Sequence, residues 1–154
     1  MSDDIQHLYK KYIKGTINKA PVENMVILVC KLTNAVKNVI NCVEPKVYAT
    51  SRMLKHLYDS KPAEEFEFLI RNIDKVTKYP DIIYKNKDGK RGDFGFVKEI
   101  NNELYFCSLE IKESSDGDNG PAGIYIVTGF RIRKKNYSNG YELIWSWKGD
   151  NPSS

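Results

Sequence analysis

Residues 62–85 read PAEEFEFLIRNIDKVTKYPDIIYK, and a change of period inside this stretch decides the fold. Up to Lys78, the apolar residues Phe66, Leu69, Ile70, Ile73 and Val76 recur every three or four positions, as one face of a helix requires. Pro62 suits the first turn, where its missing N–H goes unused. Glu64, Glu65 and Glu67 complement the positive end of the helix dipole, and Lys75 and Lys78 the negative end. Pro80 stops the helix. Beyond it, Ile82, Ile83 and Tyr84 open a series of short β-branched and aromatic runs with a period of two, which predicts strands.

Working downstream, strands are expected near 82–85, 93–100, 103–112, 123–133 and 141–147. Asn101-Asn102 and Ser138-Asn139-Gly140 supply turn chemistry, because Asn and Gly tolerate positive φ. Two longer loops remain: a basic one at 86–92 and an acidic, glycine-rich one at 113–122. Upstream, Met25, Leu28, Val29, Leu32, Val36, Val39, Ile40 and Val43 predict an amphipathic helix over 22–43, with a strand at Met25 to Val29 as the alternative. Val47-Tyr48-Ala49 reads as a short extended link, after which Thr50 or Ser51 caps a short helix carrying Leu54, Leu57 and Tyr58. Helices first and strands last is an α+β order. The expectation is one domain over 1–154, its N-terminal helices packed on one face of a C-terminal antiparallel sheet of four or five strands. The other face is left for solvent or a ligand.

Composition sets the class. Hydrophobic residues make up 41% and charged residues 29% of the 154, a globular balance long enough to bury about two thirds of the unfolded surface. No apolar run approaches the roughly 18 residues of a membrane span, and Met-Ser-Asp-Asp is acidic where a secretory leader is basic. Cys30, Cys42 and Cys107 lie in apolar stretches without C-x-x-C spacing, which points to thiols in a reducing, cytoplasmic compartment. Asp116-Gly117-Asp118-Asn119-Gly120 begins like a calcium loop, but its twelfth position is Val127 where a bidentate Glu belongs. No H-E-x-x-H, Cys/His cluster or Walker loop is present, so no metal, cofactor or nucleotide is implied.

Three features bear on chemistry. On the helix after Thr50, Arg52 lies four residues before His56 and Ser51 four before Lys55, so two cations and an imidazole share one surface; a solvated helix face is the bland alternative. On the strand Gly129 to Lys135, alternation aims Arg131, Arg133 and Lys135 at one side and Phe130 and Ile132 at the other. That basic face suits phosphates, or merely guards an edge strand. Tyr84, Tyr105, Tyr125, Tyr137, Tyr141, Trp145 and Trp147 suit stacking on unpaired bases or filling the core, with Tyr141, Leu143, Trp145 and Trp147 on one strand face.

From Val47 to about residue 148, the order of these motifs resembles the phage-type group of barnase/EndoU/colicin/RelE-like nucleases. The resembling stretches are Val47-Tyr48-Ala49-Thr50-Ser51 with Leu54-Lys55-His56, then Tyr79-Pro80-Asp81-Ile82-Ile83-Tyr84, Phe94-Gly95-Phe96-Val97-Lys98, Leu104 to Ile111, and Ile126-Val127-Thr128-Gly129-Phe130. The resemblance implies a barnase/RelE-like core that cleaves RNA without metal by acid/base chemistry, as a toxin or a phage or mobile-element effector, with a neutralising protein partner left open. In that reading His56 transfers protons, while Lys98 and Arg131 stabilise phosphate charge. Ser51, Arg52, Lys55, Thr128, Arg133 and Tyr84 bind the RNA. Thr128 shares the parity of Ile126 and Phe130 and reaches the open face only if Gly129 marks a bulge. The sequence departs from the pattern in having no second histidine on the sheet, since His7 is N-terminal, and Glu110 is the remaining carboxylate candidate. A catalytically inactive nucleic-acid-binding or protein-interaction module is the alternative. Residues 1–45 lie outside the resemblance and read as a helical cap or partner-binding arm.

Overall fold

A computed structural model describes residues 2–87, 92–113 and 120–146. In chain order the elements are α1 (Ser2–Leu8), continued by a π-helical turn (Tyr9–Ile13), β1 (Val26–Lys31), α2 (Asn34–Ile40), β2 (Lys46–Thr50), α3 (Ser51–Ser60) and α4 (Ala63–Lys78). There follow β3 (Ile82–Asn86), β4 (Phe94–Ile100), β5 (Glu103–Lys112), β6 (Gly123–Arg131), a 3₁₀ turn (Lys135–Ser138) and β7 (Tyr141–Ser146). Among the described residues no helix is long and apolar enough to cross a membrane.

The fold is α+β, as its order of elements requires, but the sheet has seven strands, in the order β1-β2-β6-β5-β4-β3-β7. The two further strands come from the N-terminal half, where the strand alternative at Met25 to Val29 is the one realised. Val26, Ile27 and Val29 are β-branched, and the chain pairs there as β1 rather than starting a helix. The helix begins later because Thr33 caps it, its Oγ1 accepting the Val36 N–H at 3.3 Å. Asn41, in the left-handed conformation at φ 54°, ends it after Ile40. The supposed link at 47–49 is β2. Nor are residues 1–45 an appended arm, because β1 is an edge of the sheet and Ile5, Leu8, Tyr9 and Ile13 are buried in the common core.

The helix read from the quoted stretch forms as expected. Phe66, Leu69, Ile70, Ile73 and Val76 of α4 are each 1% exposed, and each such side chain stabilises by about 1.5–3 kcal/mol through burial. They pack on the sheet face that carries Phe94 and Phe96 of β4, Cys107 and Leu109 of β5, and Ile124 and Ile126 of β6. All three cysteines are free. Thr77 donates its hydroxyl to Ile73 O at 2.9 Å and lies 3.2 Å from the Cys30 thiol.

One irregularity reverses half of a strand. β6 follows β5 with Leu109 opposite Ile126 and Ser108 opposite Thr128, leaving Val127 as the extra residue of a bulge. Ile126 therefore faces the helices, whereas Thr128 and Phe130 face the opposite side, where Phe130 stacks on Phe106 with centroids 5.0 Å apart. Arg131 consequently pairs with Tyr105 on the helix side, which overturns the expectation of Arg131 and Arg133 on an open basic face. The bulge falls at Val127, not Gly129. A second shift at Ile144 of β7 turns Trp145 toward the core and Tyr141 toward Phe106 and Tyr84, so these aromatics do not share one face. Trp147 and the side chain of Lys135 lie outside the described residues.

A candidate active-site cleft where two parallel strands part

β2 and β6 are the one parallel pair among the described strands, and they hold together only through Val47 opposite Ile124 and Tyr48 opposite Tyr125. Beyond that point β2 turns into α3 while β6 continues beside β5. The gap between them is a cleft of about 870 Å³. Crevices at the carboxyl ends of diverging parallel strands are where open α/β sheets place ligands.

Thr50, Arg52, Met53 and His56 form one wall, Ile126, Val127 and Thr128 the other, and Glu110, Lys112 and Tyr125 rise from the sheet. The local causes are visible. Thr50 Oγ1 accepts the Met53 N–H at 3.1 Å and starts α3, so the positive end of that helix opens on the cleft. Leu54 and Leu57, both fully buried, fix the inner side of α3, leaving Arg52 and His56, one turn apart, exposed on the other side. On β5, Cys107, Leu109 and Ile111 point to the helices, so strand alternation sends Ser108, Glu110 and Lys112 to the opposite face. Lys112 donates to Gly120 O at 2.8 Å and stands 5.7 Å from the Tyr125 ring centroid. Tyr125 donates to Pro121 O at 2.7 Å and stacks on Tyr48 at 5.4 Å, and burial raises its phenol above the usual range.

Of the residues singled out from sequence, His56, Arg52, Thr128 and the carboxylate candidate Glu110 meet here. Lys98 and Arg131 do not join them, so the expected convergence of His56, Lys98 and Arg131 fails. Lys98 projects on the helix side, where it donates to Tyr79 O at 2.8 Å, lies 3.6 Å from Asp81 and lines a separate groove of about 350 Å³ beside Trp145. Arg131 gives its backbone N–H to Glu65 at 3.1 Å, and its side chain lies beside the Tyr105 phenol. Arg133 pairs with Glu65 and donates to Arg131 O at 3.2 Å.

Two α3 residues prove to be fasteners. Ser51 is wholly buried, accepts the Met25 N–H at 2.8 Å and donates to Glu23 O. Lys55, 5% exposed, spans Asp59 at 2.6 Å and Ile17 O at 2.7 Å. That hydrogen bond from Lys55 holds the Asp59 carboxyl below its ordinary range. Tyr84 meets Tyr137, hydroxyl to hydroxyl, at 3.2 Å on the sheet face opposite the helices; burial, and then the Tyr137 bond, push its phenol far up. Sequence reasoning missed Lys112 as a site residue, although the alternation of Ser108, Glu110 and Lys112 with three apolar residues carried the signal. Among the described residues no three His, Cys, Asp or Glu side chains gather as a metal-ligand set.

No protein-family model matches this chain, and neither does any curated protein or solved structure.

Proposed function

We propose that the chain is a metal-independent endoribonuclease-like domain of the barnase/RelE type, with its chemistry in the cleft between α3 and β6. The observation that carries this reading is the meeting of an imidazole, a carboxylate, two cations and a hydroxyl around one open cavity: His56, Glu110, Arg52, Lys112 and Thr128.

Metal-independent cleavage of RNA needs a base for the 2'-hydroxyl proton, an acid for the departing 5'-oxygen and a cation beside the phosphorane. A carboxylate is an acceptor at neutral pH, so Glu110 takes the proton of the ribose 2'-hydroxyl as its oxygen attacks phosphorus. The imidazolium of His56 gives a proton to the departing 5'-oxygen, leaving a 2',3'-cyclic phosphate and a 5'-hydroxyl. Arg52 and Lys112 offset the charge that gathers on the equatorial oxygens, and the Thr128 hydroxyl donates to one of them. The open end of the cleft and its Tyr125 ring suit a single strand with unstacked bases. A toxin or mobile-element effector is the setting in which such a small nuclease acts.

The test is cleavage of single-stranded RNA in EDTA by the wild-type chain and by His56→Ala. Loss of activity in the variant, with cyclic phosphate among the wild-type products, supports the reading. Salt-dependent RNA binding with no cleavage points instead to a silent binding module, and neither binding nor cleavage to a protein-interaction role.

A further inference from the structure

Arg52 and His56 belong to two clefts at once. Behind the ridge they form lies a smaller cleft of about 330 Å³, which Lys19, Lys55 and Asp59 also line. Its outer wall is a strap, residues 14–25, fastened along α3. The Gly15 N–H donates to the Tyr58 hydroxyl at 2.9 Å, Lys55 Nζ to Ile17 O at 2.7 Å, and the Met25 N–H to Ser51 Oγ at 2.8 Å.

Charge in this smaller cleft is unbalanced. Asp59 is its one carboxylate, and both oxygens are engaged: Oδ1 by Lys55 at 2.6 Å and Oδ2 by the Lys19 N–H at 3.0 Å. Lys19 and Arg52 also line this cleft with His56, so its lining carries more positive residues than the one engaged carboxylate offsets. Lys19 is moreover held at φ 63°, a left-handed conformation that side chains other than Gly and Asn rarely adopt and that recurs at ligand clamps. The Lys19 N–H bond to Asp59 over-determines that conformation.

We propose that the smaller cleft binds a second phosphate of the same RNA strand, with Lys19 and Arg52 as its cations. The strand then crosses the Arg52 and His56 ridge with the scissile phosphate on the large side and a flanking phosphate on the small side. This rests on the ribonuclease reading and explains the strap, which carries Lys19 to the substrate. It also makes the enzyme prefer oligonucleotides to the minimal substrate, which has one phosphate.

The experiment compares Lys19→Ala and Lys19→Arg with wild type on a single-stranded octaribonucleotide and on a dinucleoside monophosphate. Lys19→Ala should raise KM for the octamer about tenfold with kcat unchanged, leave the dinucleoside unaffected, and be rescued by Lys19→Arg. An equal effect on both substrates, or none on either, overturns the subsite. If wild type cleaves neither substrate, the ribonuclease reading falls and the subsite is judged by binding of a 2'-O-methyl octanucleotide. Weaker binding by Lys19→Ala, with the salt slope reduced by about 0.7, then upholds it, and unchanged binding overturns it.

Discussion

Glu65, buried in the first turn of α4, holds the guanidinium of Arg133 in an ion pair and accepts the Arg131 N–H at 3.1 Å from the same stretch of chain. The pair fastens the end of β6 to the helix layer and commits the Arg133 guanidinium and the Arg131 N–H to that contact.

Acid stability should report this contact. Burial alone would raise the Glu65 carboxyl, but the bonds from Arg133 and the Arg131 N–H outweigh it and hold the group below its ordinary value of 4.5. A carboxyl depressed in the folded state contributes fully above the unfolded value, and the contribution fades as pH falls through the folded one. Glu65→Gln should therefore lower stability near neutral pH by about 1 kcal/mol, the low end of the range because the Arg133 side chain is 49% exposed. Denaturant midpoints at about pH 7 and about pH 3 measure it. The gap between variant and wild type should close in acid, and a gap of constant size would refute the ion-pair account.

The separation of His56 from Lys98 divides two variants that a sequence reading treats alike. His56→Ala should reduce RNA cleavage by about 10²–10⁴, the usual worth of a proton-transfer group. Lys98→Ala should leave the rate within about twofold, because its partners are Tyr79 O and Asp81 on the helix side. Initial rates on one RNA decide between them, and comparable losses would show that the cleft has been placed wrongly.

On the face opposite the helices, two small residues should respond in opposite directions. A Cβ on Gly95 would lie 2.4 Å from Cζ of the Phe106 ring, so Gly95→Ala should destabilise by about 1–3 kcal/mol through overpacking. Ser108 Oγ is the one buried side-chain N or O among the described residues without a hydrogen bond. Ser108→Ala removes that desolvated hydroxyl and should gain about 1 kcal/mol. Thermal or urea unfolding of the two variants checks both signs.

The thiols should label in a fixed order. Burial first, with Cys30 adding to it, pushes Cys107 up to about 12, and burial also raises Cys30, so neither offers thiolate near neutral pH. Cys42 is half-buried and more accessible despite its own upward shift. Mass spectrometry after iodoacetamide treatment should find Cys42 modified in the native protein, and Cys30 and Cys107 only in denaturant.

What the sequence disclosed follows the reach of its signals. α4 was legible because Pro62, three glutamates and a five-residue apolar stripe all agree, and strands after Pro80 were legible from their period of two. β1 was not, since Met25, Leu28, Val29 and Leu32 satisfy helical spacing while Val26, Ile27 and Val29 satisfy a strand, and tertiary pairing with β2 decides. For the site, Arg52 and His56 were readable as one helix face, and Ser51 and Lys55 were not separable from them until burial distinguished fasteners from exposed groups. The orientation of Arg131 was out of reach because one extra residue at Val127 inverts every side chain after it, and nothing local at Val127 announces a bulge.

The narrow join between β2 and β6 also sets an order of events during synthesis. A nascent chain made as far as α4 carries His56 and Arg52 while the ribosome has yet to make Glu110 and Thr128, which lie on the later strands β5 and β6. On the proposed chemistry such a chain is harmless to the messenger that encodes it. Stalled translation products ending before β6 should leave RNA intact, and cleavage by them would place the chemistry elsewhere.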